Sequence, residues 1–168
     1  ADGREIYHWI EYTGPQEYLY HLAVSPDGRY FAVMGHIYWQ GSNTKTGSRL
    51  PGSNSFLNLW RTENWEYLGQ LSGDGSALAF SPDSKTLAAG ASDQASVALI
   101  DPATLKTRMI LAPPNSTQNR GLNAVAWSAD GKRIFAAGAW TDEKGRFAVC
   151  NWPNGGQANP SCIAVSSN

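Results

Sequence analysis

Hydrophobic and polar positions in this chain alternate in short runs bounded by turn residues, and no apolar stripe of period 3.6 persists long enough to specify a helix. Residues 4–12 (Arg4-Glu5-Ile6-Tyr7-His8-Trp9-Ile10-Glu11-Tyr12) alternate as a strand that Thr13-Gly14-Pro15 ends. One phrase then recurs three times: Leu22-Ala23-Val24-Ser25-Pro26-Asp27-Gly28-Arg29, Leu78-Ala79-Phe80-Ser81-Pro82-Asp83-Ser84-Lys85 and Val125-Ala126-Trp127-Ser128-Ala129-Asp130-Gly131-Lys132. Each is an apolar run, a polar turn, a basic residue and a second apolar run (Phe31-Ala32-Val33, Leu87-Ala88-Ala89, Ile134-Phe135-Ala136). Pro presets φ, Ser and Asp bond nearby backbone N–H groups, and Gly tolerates positive φ, so each phrase predicts a β-hairpin turning at 25–28, 81–84 and 128–131.

Around each hairpin the pattern predicts two further strands. The first unit has strands near 18–25, 29–34, 55–60 and 65–71, and the second near 76–81, 85–90, 95–100 and 105–111. The third has them near 121–128, 132–138, 146–152 and 161–166. Four short strands per repeat, apolar on both faces, are the pattern of a propeller blade sandwiched between neighbours. The fold class expected is therefore all-β: three four-stranded antiparallel blades (18–71, 75–112 and 121–166) plus the lone strand 4–12. From 18 to 166 the chain resembles the WD-repeat family of β-propellers. The resemblance rests on the Ser-Pro-Asp-Gly turn and on the dipeptide closing the third strand, here Leu59-Trp60-Arg61, Leu99-Ile100-Asp101 and Asn151-Trp152-Pro153. Only the second keeps the Asp, only the other two keep the Trp, and the Gly-His usual before the first strand is absent from all three. The resemblance thus implies a blade-tying network of His, Asp, Ser and Trp that is incomplete here. Closed propellers use roughly four to eight blades, so three blades and an orphan strand predict part of a larger propeller, with the remaining blades on absent sequence or another chain.

Charge changes the picture by exclusion. Thirteen basic residues against 14 acidic ones, with no basic stripe, exclude nucleic acid or an anionic membrane as the main partner. No apolar run is long enough for a transmembrane helix, and no signal peptide precedes Ala1, which reads as a processed form or a piece of something longer. Cys150 and Cys162 flank a loop between two strands and, in a symmetric register, face each other. They are either a cross-strand disulfide or two buried small hydrophobes. The pair and the non-Met start lean toward an extracytoplasmic location.

Candidate chemistry is sparse. His8, His21 and His36 lie on separate segments without a recurring carboxylate partner, and no nucleophile elbow, phosphate loop or metal-ligand spacing occurs, so neither a catalytic set nor a cofactor is expected. The irregular feature is an insertion over 35–54 between the second and third strands of blade one. It combines His36, Tyr38 and Trp39 with Lys45 and Arg49 in a Gly/Ser/Asn-rich body. The equivalent stretch of blade three, 139–145, adds Trp140, Asp142 and Glu143. Long loops on a rigid scaffold concentrate binding residues, and aromatic and Arg side chains are favoured anchors. The sequence therefore points to a non-catalytic protein-interaction or scaffold module that docks a protein through this loop-rich face. The alternatives are a propeller subunit of an enzyme with its active residues on other blades or chains, and a carbohydrate or small-ligand site built on Tyr38, Trp39 and Trp140. The bland reading of the insertion has Tyr38 and Trp39 simply prolonging the strand.

Overall fold

A computed structural model of the chain describes residues 16–38, 53–72, 75–91, 96–112, 122–141, 147–153 and 161–165. The strand expected at 4–12 lies outside these residues. Every regular element described is a β-strand, and none is a helix long and apolar enough to cross a membrane. Blade one comprises β1 (Gln16–Val24), β2 (Tyr30–Tyr38), β3 (Ser53–Arg61) and β4 (Glu66–Ser72). Blade two comprises β5 (Gly75–Phe80), β6 (Leu87–Ala91), β7 (Val97–Asp101) and β8 (Lys106–Leu111). Blade three comprises β9 (Leu122–Trp127), β10 (Arg133–Thr141), β11 (Phe147–Pro153) and β12 (Ser161–Val165). Each is an antiparallel meander in chain order, as the repeat predicts.

The repeated phrase folds into the same turn three times. In blade one the Ser25 N–H donates to the Tyr30 carbonyl (2.9 Å), and the Gly28 N–H to the Ser25 carbonyl (2.8 Å). The Ser25 hydroxyl accepts from the Tyr30 N–H (2.9 Å) and donates to Asp27 Oδ1 (2.7 Å), which also accepts from the Arg29 N–H (3.0 Å). Ser81, Asp83, Lys85 and Thr86 repeat this network, as do Ser128, Asp130, Lys132 and Arg133. The fourth turn residue is left-handed in all three, with φ of 72° at Gly28, 62° at Ser84 and 68° at Gly131. Ser84 tolerates this against the usual preference for Gly and is buried, where its hydroxyl accepts from the Asp27 N–H of blade one at 3.1 Å.

The core lies between blades. Tyr30, Ala32, Met34, Leu57 and Leu59 of blade one pack on Leu78, Phe80, Leu87, Ala89 and Ile100 of blade two. Ala88, Val97, Leu99 and Leu111 of blade two pack on Leu122, Ile134 and Ala136 of blade three, with Val125 and Trp127 half-buried alongside. Trp127 Nε1 also donates to the Ala79 carbonyl at 3.0 Å. Glycine is required where blades one and two approach closely: a Cβ on Gly69, whose φ is 139°, would stand 2.7 Å from Leu105 Cδ1 of the next blade, and one on Gly75 only 2.2 Å from Met34 of the preceding blade. On the last hairpin Cys150 pairs with Cys162 in register, so the two face each other as the symmetric reading expects.

The turn carboxylates make the fold pH-sensitive. Burial opposes ionisation of Asp27, but the Ser25 hydroxyl and the N–H and guanidinium of Arg29 outweigh it and hold its pKa at about 2. The Ser81 hydroxyl likewise holds Asp83 below the ordinary carboxylate value, the Ser128 hydroxyl Asp130, and the Arg108 guanidinium Asp101. Because the folded values lie below the unfolded ones, the ionised carboxylates favour the fold above the ordinary value of 3.8, and that contribution is lost as pH falls toward 2. Urea unfolding midpoints should therefore hold steady down to roughly pH 5 and decline below it. Asp27→Asn should shrink the decline by less than about 1 kcal/mol, since the group is solvent-screened. A midpoint that stays flat to pH 2 would contradict this role for the turns.

Candidate functional site

The two ends of the blades differ. One carries the tied Ser–Asp turns and the β3–β4 and β7–β8 turns, in which Trp65 and Leu105 are left-handed (φ 56° each). Ion pairs brace those turns, between Arg61 and Glu66 in blade one and between Arg108 and Asp101 in blade two. The other end carries the β2–β3, β6–β7 and β10–β11 connections and the links between blades.

At that second end blade one stands taller than blade two. The loop expected over 35–54 is shorter than predicted, because β2 runs on through Gly35, His36 and Ile37 to Tyr38 while β3 begins at Ser53. The added pairs are His36 with Ser55, Ile37 with Asn54 and Tyr38 with Ser53. On the other side His36 pairs with Tyr18 and Tyr38 with Gln16. The strands prolong because continuing a paired ladder satisfies backbone N–H and C=O groups that a loop would leave to water. In blade two the equivalent strands stop at Ala91 and resume at Val97, closed by a bond from the Ala91 N–H to the Ser96 carbonyl (2.9 Å). Blade three resembles blade one: Trp140 belongs to β10, which ends at Thr141. Trp39, Lys45, Arg49, Asp142 and Glu143 lie outside the described residues, and for His36, Tyr38 and Trp140 only the backbone placement is described.

Beside the prolonged hairpin a cleft of about 320 Å³ opens between blades one and two. Met34, Leu57 and Leu71 form one wall, and Ala89, Ala98 and Ile100 the other. Gly75, Gly90, Ala91 and Ser96 reach it from the loop-bearing ends of their strands. The small residues of one wall make the space: Ala89, Gly90 and Ala98 of blade two leave the gap to Met34, Leu57 and Leu71 unfilled. The cleft lining contains hydroxyls (Ser72, Ser96, Thr107) but no titratable side chain, so it fits an apolar group and offers no acid or base. Among the described residues no three His, Cys, Asp or Glu side chains gather as a metal site. The insertion was visible in the sequence as a break in the repeat. The cleft was not, and its one signal there was the Ala/Gly content of β6 set against Leu71 and Ile110.

Residues 65–101 match the family model of the WD domain, G-beta repeat. The matched unit begins at the β3–β4 turn of blade one and ends at Asp101 on the third strand of blade two, one strand out of step with the blade itself. Among solved structures the chain is similar to a chain of Kuenenia stuttgartiensis hydrazine synthase, with 16% identity and a TM-score of 0.62 over 98% of this chain and 40% of that one. The chain therefore spans less than half the length of that relative. The search of curated proteins finds no match. The match over 65–101 gives one repeat resembling a WD repeat, and the likeness of fold supports a partial β-propeller.

A larger side chain in the wall of the cleft fills it rather than straining the core. Ala98→Leu should raise the free energy of unfolding by about 0.5–1 kcal/mol, whereas overpacking a filled site costs about 1–3 kcal/mol. Denaturant titration of the variant reads the sign directly.

Proposed function

We propose that this chain is a non-catalytic protein-interaction module of the WD-repeat propeller type, docking a protein partner on the end that bears the 35–54 insertion and the 139–145 segment. The observation that carries this reading is the height of blade one. Its second and third strands remain paired out to Tyr38 and Ser53, past the level at which blade two turns, so they form a rigid stem for the insertion beside an apolar cleft. A stem of paired strands supports recognition because its order is fixed before the partner arrives, which lowers the entropic cost of binding. The insertion then presents Trp39, Lys45 and Arg49 to the partner, with His36 and Tyr38 on the stem. Trp140, Asp142 and Glu143 contribute from blade three, and an apolar side chain of the partner enters the cleft.

A second reading is a propeller subunit of an enzyme, with its active residues on other blades or chains. It is favoured by the likeness of fold to a chain of hydrazine synthase, an enzyme by its name. In both readings the neighbouring surface is protein.

The test uses the tagged chain as bait in extract from its source organism. Truncating an anchor of this kind typically costs about 2 kcal/mol or more, so Trp39→Ala and Arg49→Ala should each reduce partner recovery at least about tenfold. Their melting temperatures should stay within about 2 °C of the parent, as expected for surface substitutions. Equal recovery with both variants, or a fall in melting temperature with Trp39→Ala that tracks the loss of recovery, would remove the docking role.

A further inference from the structure

Residues directly opposite each other in antiparallel strands share a face of the sheet, so the register sorts each blade into rows that cross all four strands. In blade two one row runs Leu78, Ala89, Ala98, Ile110 from β5 to β8. The same row in blade one is Leu22, Val33, Asn58, Gln70. In blade three it is Val125, Ala136, Cys150, Cys162. The two cysteines thus hold the third-strand and fourth-strand places of one row, on the face that blade three turns toward blade two.

The inner half of this row is core, since Leu78, Ala89 and Ala136 are all buried. The outer half is not. In blade two Ala98 is half-buried and Ile110 is 65% exposed, and both line the open cleft toward blade one. Blade one has polar residues at these places, and Asn58 Oδ1 accepts from the Tyr67 hydroxyl at 3.1 Å. A pair of cysteines kept as small buried hydrophobes therefore has no counterpart at these places in either of the other blades. The spacing suits a bond instead. Facing Cα atoms of antiparallel strands stand about 4.5–5.5 Å apart, within the span of about 4.4–6.8 Å that a disulfide bridges.

We propose that Cys150 and Cys162 form a cross-strand disulfide that fastens the fourth strand of blade three. β12 is five residues long, and among the described strands its partner is β11, so a single short ladder holds it. The bond forms by exchange with a small disulfide such as oxidised glutathione. One cysteine thiolate attacks the small disulfide, giving a mixed disulfide and releasing one small thiol. The second cysteine thiolate then displaces the other small thiol and closes the bond. The chain loses two electrons and two protons, and the small disulfide is reduced to two thiols. Excess small thiol runs the same steps backward, which makes the hold on β12 responsive to redox poise. The closed bond also restricts the unfolded chain between the two strands, so it favours the fold. This site is separate from the partner-docking reading and stands or falls without it.

The experiment equilibrates the 168-residue chain with graded ratios of oxidised to reduced glutathione, labels free thiols with a maleimide and weighs the intact chain. At oxidising ratios the folded chain should take no label and weigh two hydrogens less than the dithiol. Cys150→Ser and Cys162→Ser should each take one label at reducing ratios and carry one glutathione at oxidising ones. Nearness in sequence alone would also let the pair oxidise, so the titration is repeated in urea. Folding should lower the ratio needed for half-conversion at least about 30-fold, the counterpart of the stability such a bond confers. Oxidised glutathione should raise the urea midpoint of the parent and leave that of the Cys150→Ser, Cys162→Ser double variant unchanged. Circular dichroism checks that the double variant folds; Cys150→Ala with Cys162→Val replaces it if it does not. Two labelled thiols, glutathione adducts or disulfide-linked chain pairs in the folded, oxidised sample would overturn the proposal. So would the same half-conversion ratio with and without urea.

Discussion

A sheet buried on both faces by copies of itself cannot be large on both. If every inward side chain were Leu or Phe, neighbouring sheets could not approach to the roughly 10 Å at which stacked sheets pack, and if every one were Ala they would leave voids. The chain meets this constraint by dividing labour between strand faces. Rear positions, toward the preceding blade, include Leu78, Phe80, Leu87, Trp127 and Ile134, whereas forward positions on the first two strands include Ala23, Ala32, Ala77, Ala88 and Gly90, with the larger Leu57, Leu59, Val97 and Leu99 on the third strands. Burying a Leu or Phe side chain is worth about 1.5–3 kcal/mol, against about 0.5–1.5 kcal/mol net for a hydrogen bond. Packing between blades therefore outweighs the turn networks in holding the stack, and the turns mainly fix its register.

The same division separates the two ends of the molecule. At the turn end, carboxylates and hydroxyls are committed to backbone N–H groups only a few residues away, and ion pairs brace the longer turns. Little there is left over for a ligand. At the other end, strand length is the variable: β2, β3 and β10 run to nine residues where β6 and β7 stop at five. Changing strand length alters what stands above the rim without disturbing the packed layers below. The inter-blade cleft lies at this end because the small residues of β6 and β7 that face blade one, Ala89 and Ala98, leave the sheets apart there.

How much of this was legible in the sequence follows from the range of the interactions. The Ser–Asp turns were readable because Ser25, Asp27, Gly28 and Arg29 contact one another within a few residues, and the facing of Cys150 and Cys162 follows from strand symmetry alone. The prolonged stem was not. Gly35 and the Ser/Asn content near 53–54 read as loop, and only pairing with a distant strand makes them β. Nothing within its own repeat tells that the Ser84 hydroxyl serves a backbone group in another blade. Nor does its own strand account for Gly69, whose reason is Leu105 across the interface. The roles missed belong to contacts between repeats, and a repeat read by itself does not contain them.

The bond from the Asp27 amide to Ser84 makes the first turn depend on the second blade. That amide lies on an otherwise exposed turn, where exchange with solvent deuterium would be fast if blade one acted alone. Tied to a buried hydroxyl of the next blade, it exchanges only when the two blades part. A single amide at the surface thereby becomes a gauge of nearest-neighbour cooperativity in the stack: its protection measures the coupling between adjacent repeats, the quantity that determines whether such arrays unfold blade by blade or all at once.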